Sequence, residues 1–273
     1  MIAIIPALLN TSDDVARLAT TLGKLPHARV KECVIVAQGL NPDIRRSLDS
    51  PSFTVLHRAT SLTKWGAIAL ARSAIASDAD NVLLVDADDP FDAASLEHFC
   101  EEAAASSSDC LIGRRNRITL FAEDEKSPHT RLFIEVFSNS LLLARLGVLP
   151  STTQGPDIQS GLYALSNLAF KRIRFDFVRA YGGELALYYQ LATSGARVTE
   201  TPVYPNHVRA SSYRVKEILR NILRLPFFSD LTDCEIEAAL TVGPSIYSEL
   251  IPGSARRSYA KELRELLTQT VQS

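Results

Sequence analysis

The chain has 273 residues, 46 % of them hydrophobic and 22 % charged, enough apolar mass for a sizeable core and too much for a disordered default state. Its 29 basic and 31 acidic residues leave a formal net charge of −2. No global cationic field exists to hold nucleic acid, so any anion must be bound by a local constellation. Cys33, Cys100, Cys110 and Cys234 show neither Cys-x-x-Cys spacing nor a neighbouring histidine pattern, which argues against structural zinc and a disulfide framework. Met1-Ile2-Ala3-Ile4-Ile5-Pro6 lacks a basic n-region and a cleavage site and reads as a strand. No stretch reaches the roughly 18 uninterrupted apolar residues of a membrane span. The nearest, 132–149, is broken by Glu135, Ser138, Asn139, Ser140 and Arg145, and a cytoplasmic protein is expected.

Taken in chain order, an apolar run at 2–5 precedes a polar stretch in which Ser12 or Asp13 can cap a helix through Leu22. Runs at 32–37 and 53–56 give two more strands. Residues 64–76 carry helical spacing, with Trp65, Ile68, Ala69, Arg72 and Ile75 on an i, i+3, i+4 rhythm. Residues 81–85 form a continuous apolar strand of the kind buried on both faces. A helix at 93–105 and a strand at 110–112 follow. Such alternation predicts βαβ units and a mostly parallel sheet, whose ligands sit at the carboxyl ends of its strands. Beyond Arg117 the spacing predicts a long amphipathic helix over 129–146, a loop at 150–159, a strand at 162–165 and a helix at 184–193 ended by Gly195. A strand over 198–203, interrupted at Pro202, and helix-rich sequence from Tyr213 complete the chain. The expected organisation is one α/β domain over 1–212 with a helical extension over 213–273 packed on it.

Asp86-Ala87-Asp88-Asp89, directly after the apolar strand, is the sharpest chemical feature. Carboxylates at a strand's carboxyl end can converge on a hard divalent cation, which takes oxygen ligands. The alternative is a solvated turn in which Asp89 or Asp92 caps the next helix. Two basic clusters suit phosphate oxygens or an ordinary solvated face: Arg114, Arg115 and Arg117 with Arg131, then Arg209, Arg214, Lys216 and Arg220. Trp65 reads as a core residue of its helix. Asp157 after Pro156 can be a turn residue, and Glu184 at a helix start can favour the helix dipole.

Four segments together resemble the family-two glycosyltransferases of the GT-A fold, above all the branch with dolichol-phosphate mannose synthase and the bacterial polyprenyl-phosphate glycosyltransferases. They are IIPALLN, KWGAIALARSAIASDADNVLLVDADDP, PDIQSGLYALS and GARVTETPVYPNHVRASSYR, spread in order over roughly residues 1–220. The resemblance implies a GT-A-like, mostly parallel nucleotide-binding sheet flanked by helices. It also implies metal-dependent, inverting transfer of a hexose from a GDP- or UDP-sugar to an acceptor. On that likeness Pro6, Lys64, Asp86, Arg131, Arg209, Ser212 and Arg214 bind the nucleotide sugar. Asp86 and Asp88 hold Mg²⁺ or Mn²⁺. Gln159, Ser160 and Gly161 face the acceptor, and Asp157 and Glu184 are the candidate catalytic carboxylates. A cation there stabilises charge developing on the leaving diphosphate.

The acceptor implied by the nearest branch is polyprenyl phosphate, with the 132–149 helix and its Arg131 and Arg145 lying on a membrane surface. A core helix and a soluble acceptor are the alternative. The chain departs from the family's pattern in three places. Ala37-Gln38-Gly39-Leu40-Asn41 lacks the acid expected where nucleobase and ribose dock, Asn10 is followed by Thr11-Ser12-Asp13 without the family's Glu, and Pro90 stands where lipid-phosphate members often have Gln. A non-catalytic nucleotide-binding protein on the same fold is the competing expectation. Nucleotidyltransfer is disfavoured because residues 6–12 contain no glycine for a phosphate loop.

Overall fold

Each apolar run of the first half becomes a strand in the computed structural model: β1 (Ile2–Leu8), β2 (Glu32–Gln38), β3 (Thr54–Arg58), β4 (Asn81–Val85) and β5 (Cys110–Arg115). The structure describes residues 1–39, 53–58, 62–75, 81–88, 90–117, 128–148, 155–177, 182–205, 215–248 and 251–271. With β6 (Leu162–Ser166) and β7 (Val198–Val203) the strands form one seven-stranded sheet in the order β3-β2-β1-β4-β6-β5-β7. β1 to β4 run parallel, and β5 is parallel to β7. Only β6 is reversed, antiparallel to both β4 and β5. Its direction is invisible in the sequence, because a strand buried on both faces reads the same either way. β7 also runs unbroken through Pro202. It is an edge strand, where a missing N–H costs no ladder bond.

The helices are α1 (Ser12–Lys24), α2 (Lys64–Arg72), α3 (Ala93–Ala105), α4 (Pro128–Arg145), α5 (Asn167–Arg172), α6 (Gly183–Thr193), α7 (Val215–Leu223), α8 (Asp233–Ile246) and α9 (Gly253–Val271). α1 starts one residue earlier than expected, because Thr11 and Asp14 form a reciprocal capping box. Of the two expected caps for α3, Asp92 serves: its carboxylate accepts from Ser95 N at 2.7 Å.

Two compact units divide the chain. The first comprises Met1–Arg115, Ser160–Ala180 and Gln190–His207 and contains the whole sheet. Strand alternation sorts its core into two layers. Ala3, Ile5, Ala7, Ile35, Leu83, Val85 and Leu162 pack in one cluster with Leu18, Leu96 and Phe99 of α1 and α3. Residues of opposite parity, such as Ile4, Val36, Leu84 and Tyr163, are equally buried, and α2 packs on β1 and β2. Cys33, Cys100 and Cys110 are free, buried thiols; burial pushes Cys33 and Cys100 up to about 12, so they are neutral packing groups.

The second unit comprises Asn116–Gln159, Tyr181–Tyr189 and Val208–Ser273. α4 is its centre, packed against α8, α7 and α9. Every residue from 132 to 143 is buried, the most open being Ser140 at 6 %. Phe133 stacks on Phe137 at 6.1 Å and meets Tyr259 of α9 at 4.8 Å. α4 has no spare apolar face over 132–143 to lay on a membrane, which corrects that expectation, and its Arg145 is paired with Asp230 and Glu235. The C-terminal helices expected as an extension from 213 share this unit with α4. A helix apolar on all sides needs helical neighbours, so α4 sorts with α7 to α9 and not with the sheet. No helix among the described residues is long and apolar enough to cross a membrane.

α8 approaches α4 closely at Gly243, where an added Cβ would lie 2.0 Å from Ser140 Oγ and 3.0 Å from Ser140 Cβ. Gly243→Ala is therefore expected to lower the unfolding free energy by about 1–3 kcal/mol, the usual cost of overpacking. Adding Ser140→Gly should recover much of the loss in urea denaturation. An unchanged midpoint in the single variant would show that the two helices have room to part.

Candidate active site

The carboxyl ends of β1, β2 and β4 share one edge of the sheet because these strands are parallel. Along β4, residues 82 and 84 face the α2 layer, and the same alternation points Asp86 that way as the strand ends. There its Oδ1 meets Lys64 Nζ at 2.7 Å. Lys64 is the first residue of α2, whose N-cap Thr63 accepts from Gly66 N at 3.1 Å. A lysine in a first turn opposes the helix macrodipole, and the Asp86 carboxylate offsets that repulsion. Both side chains are about one-third exposed, 29 % and 34 %.

β6 closes the other side of Asp86. Its antiparallel register pairs Val85 with Leu162, so the next step outward sets Gly161 beside Asp86. Gly161 has φ +78°, and a Cβ there would lie 2.5 Å from Asp86 Oδ2. Only glycine lets the backbone come this close. Pro6, Lys64, Trp65, Ile68, Leu84, Val85, Asp86, Gly161 and Tyr163 line a narrow crevice at this edge. Asp88 lies two residues further on and is exposed. At the end of β2, Gln38 is 3 % exposed, and its side-chain oxygen accepts a hydrogen bond from Leu62 N. A residue of the turn that lacks the expected acid thus ties β2 to the entry of α2.

The structure therefore gathers Pro6, Lys64, Asp86 and Gly161 in the first unit, and Asp88 follows on the same strand end. Ser160 is buried there too, its Oγ accepting from Leu162 N and donating to Leu162 O, both at 3.2 Å. Arg209, Ser212 and Arg214 lie outside the described residues. Among the described residues no group of three or more His, Cys, Asp or Glu side chains could hold a metal ion. An all-protein cage is absent from them. Asp86 and Asp88 leave two carboxylates at one strand end, and a divalent cation held by so few protein oxygens ordinarily completes its shell with phosphate or water.

The remaining expected residues sit in the second unit. Asp157, expected in an open loop, is 1 % exposed and accepts from Arg117 Nε at 3.1 Å. The Arg117 guanidinium also donates to Pro156 O at 2.7 Å and to the Tyr247 hydroxyl at 3.4 Å. Burial pushes the Tyr247 phenol above its usual value; Arg117 opposes the rise and Asp157 adds to it. Gln159 donates its amide to Ser138 Oγ and Asn139 Oδ1, both at 2.9 Å, so this amide faces α4. Arg131 pairs with the buried Glu135 at 3.1 Å and is itself 24 % exposed. Glu184 lies half-buried in the first turn of α6. Sequence reading missed the Arg117–Asp157–Tyr247 group, and no local signal could have found it: its members are 40 and 130 residues apart. Tyr163 was missed for another reason, since an aromatic in a buried strand looks like any core residue.

No family profile matches this chain, and no curated protein matches it in sequence. Its fold is shared with crystal structures of glucosyl-3-phosphoglycerate synthase from Mycobacterium tuberculosis. For that enzyme with phosphoglyceric acid the TM-score is 0.60 over 85 % of this chain and 81 % of that one, at 14 % identity. Its complex with Mn²⁺, uridine-diphosphate-glucose and phosphoglyceric acid gives 0.57 over 85 % and 80 %, at 14 % identity. Its complex with Mg²⁺ and uridine diphosphate gives 0.58 over 85 % and 80 %, at 12 % identity. The architecture is thus the GT-A fold, a mostly parallel sheet flanked by helices.

Arg117→Met removes the guanidinium that faces a buried carboxylate and is expected to destabilise the protein by about 3–5 kcal/mol. Combining it with Asp157→Leu should restore most of that loss, because the pair then leaves together. Chemical denaturation of the two single variants and the double variant gives the coupling directly; additive losses would show that the two groups do not act as a pair.

Proposed function

We propose that this chain is a glycosyltransferase that moves a hexosyl group from a uridine-diphosphate sugar to a small soluble acceptor. The observation that carries the reading is the strand-end arrangement of Asp86, Lys64 and Gly161, with Asp88 exposed just beyond it. The shared fold supports it, as do the ligands of the mycobacterial enzyme: uridine diphosphate, its glucose conjugate and Mn²⁺ or Mg²⁺. A soluble acceptor is favoured because that enzyme is also seen with phosphoglyceric acid and glycerol 3-phosphate. The burial of α4 removes the surface on which a lipid acceptor was expected to be met.

Asp88 is the residue we assign to Mg²⁺ or Mn²⁺. Asp86 Oδ1 is held by Lys64, and Oδ2 occupies the space that a side chain at residue 161 would need, which suits Asp86 to orienting the site. When bound, the cation neutralises negative charge that develops on the diphosphate as the glycosidic bond breaks. Lys64 adds a second positive charge at the same edge, and the N-terminus of α2 adds its partial charge. Crowding by Lys64 and Gly161 limits the rotation of Asp86, so its carboxylate is already oriented when the sugar arrives.

A hydroxyl acceptor must lose a proton. Asp157 is shut in against Arg117, whereas Glu184 is half-exposed in a first helical turn. Asp157 and Glu184 are the two carboxylates we propose for that step, and the anomeric configuration of the product, read by NMR, reports whether it proceeds with inversion. Arg131, Arg209, Ser212 and Arg214 remain candidates for phosphate contacts.

Calorimetric titration should show uridine diphosphate binding that strengthens with Mn²⁺, and Asp88→Asn should remove that dependence while the melting temperature stays within about a few degrees. Loss of stability with intact metal-dependent binding would make Asp88 structural. Binding with no sugar transfer to phosphoglycerate, glycerol 3-phosphate or a polyprenyl phosphate would favour the non-catalytic reading, consistent with a turn at 37–41 that lacks the expected acid. Gly161→Ala should weaken nucleotide-sugar binding at least about tenfold, since its methyl group displaces Asp86 and its φ is disfavoured for alanine. Unaltered affinity in that variant would show that the Asp86 position is not needed.

A further inference from the structure

Strand register carries the face on which Asp86 stands across β6 to β5. Leu84 is in register with Tyr163, and Tyr163 with Ile112, so these three side chains share one face of the sheet. Two residues nearer the candidate site, β4 has reached Asp86, β6 is entered from Gly161, and β5 arrives at Arg114. β5 and β6 stay together this far, since a Cβ on Gly113 would lie 2.9 Å from Leu162 Cδ2 and 3.2 Å from Leu162 Cβ. Alternation therefore places Asp86, Gly161 and Arg114 in one row, with glycine in the middle. Neighbouring strands lie about 4.8 Å apart, so about 10 Å separates the two outer members of the row. Arg115 belongs to the opposite face: it is in register with Val203 of the α1 and α3 cluster and is 7 % exposed. Arg114 is exposed, and its guanidinium has no hydrogen-bond or ion-pair partner among the described residues.

We propose that Arg114 receives the anionic group, phosphate or carboxylate, of the sugar acceptor. The proposal rests on the glycosyltransferase reading above and adds to it the chemical class of the acceptor. Lys64 and the start of α2 flank Asp86 on one side, where the donor's diphosphate is placed. Arg114 stands on the other, so the anions of donor and acceptor are kept apart and do not repel each other. The span between Asp86 and Arg114 suits a hexose ring followed by a short carbon chain, and Gly161 sets no side chain in the way. Transfer breaks the bond from the anomeric carbon to the diphosphate oxygen, which keeps the electron pair. It forms a bond to the acceptor's hydroxyl oxygen, whose proton passes to a carboxylate base. A guanidinium offers a phosphate or carboxylate two parallel donors and always carries its charge. A neutral polyol gains little from it, so Arg114 selects anionic acceptors over neutral ones. An arginine that is merely solvated would leave that choice unaffected.

Rates of glucose transfer from uridine-diphosphate-glucose, with Mg²⁺, to glycerol 3-phosphate, glycerate and glycerol supply the test. The wild-type protein should prefer an anion to glycerol, and the better of the two identifies the group that is read. Arg114→Met should raise KM for that anion at least about tenfold, through loss of a charge-assisted hydrogen bond, and leave transfer to glycerol as it was. Arg114→Lys keeps the charge without the planar fork and should recover part of the loss. Calorimetric affinity for uridine diphosphate should be the same in Arg114→Met as in the wild type. An unchanged KM in a folded Arg114→Met overturns the proposal. So does an equal loss of affinity for uridine diphosphate, which would put Arg114 on the donor. Should that variant fold poorly, the wild-type preference still decides, because equal rates on glycerol and both anions overturn the proposal as well. A wild-type protein that binds uridine diphosphate but glucosylates neither anion overturns this inference alone. One that binds no uridine compound removes the parent reading, and this one with it.

Discussion

The antiparallel register of β6 against β4 governs the candidate site. Pairing Val85 with Leu162 brings Gly161 to the tip of β4. The Asp86 carboxylate then sits between a lysine ammonium and a backbone that has no side chain to interfere. A parallel strand in the same place would bring its carboxyl end to that edge and carry Gly161 to the other. One reversed strand in an otherwise mostly parallel sheet thus decides which residues meet at the candidate site.

Charge distribution at that edge follows a consistent logic. Lys64 begins a helix, where the macrodipole disfavours it, and Asp86 ends a strand beside it. Either charge alone would be poorly placed; together they form a partly exposed pair whose solvent screening keeps its net contribution to folding small. Stability is an insufficient reason for such an arrangement. The proposed binding of a diphosphate supplies one, since a phosphate can draw on the helix terminus and the ammonium together.

The helical unit is organised on a different principle. α4 is buried on every side through 132–143, yet carries Glu135, Ser138, Asn139 and Ser140 inside. Three of these polar groups are matched, Glu135 by Arg131 and Asn139 and Ser138 by the Gln159 amide, and in the adjoining segment Asp157 is matched by Arg117. Replacing any one partner strands another in a low-dielectric interior, so the network specifies how segment 155–159 lies on α4. The arginines expected on phosphates include two, Arg117 and Arg131, that have buried carboxylates as partners here.

Local sequence patterns were sufficient for the strands at 81–85 and 198–203, for α3, and for most other elements to within a few residues, because burial on a sheet imprints apolar runs and capping imprints Asp92. The same reading marked Asp86 and Asp88, whose residue types are chemically conspicuous after a buried strand, while Lys64 came from the family resemblance. It could not supply strand direction, the burial of Asp157, the role of Gln38 or the partners of α4. All four depend on segments far apart in the chain meeting at a given register: Gly161 with Asp86, Arg117 with Tyr247, Leu62 with Gln38, Ser140 with Gly243. Periodicity records how much of a residue is hidden, and only the packed structure determines what hides it.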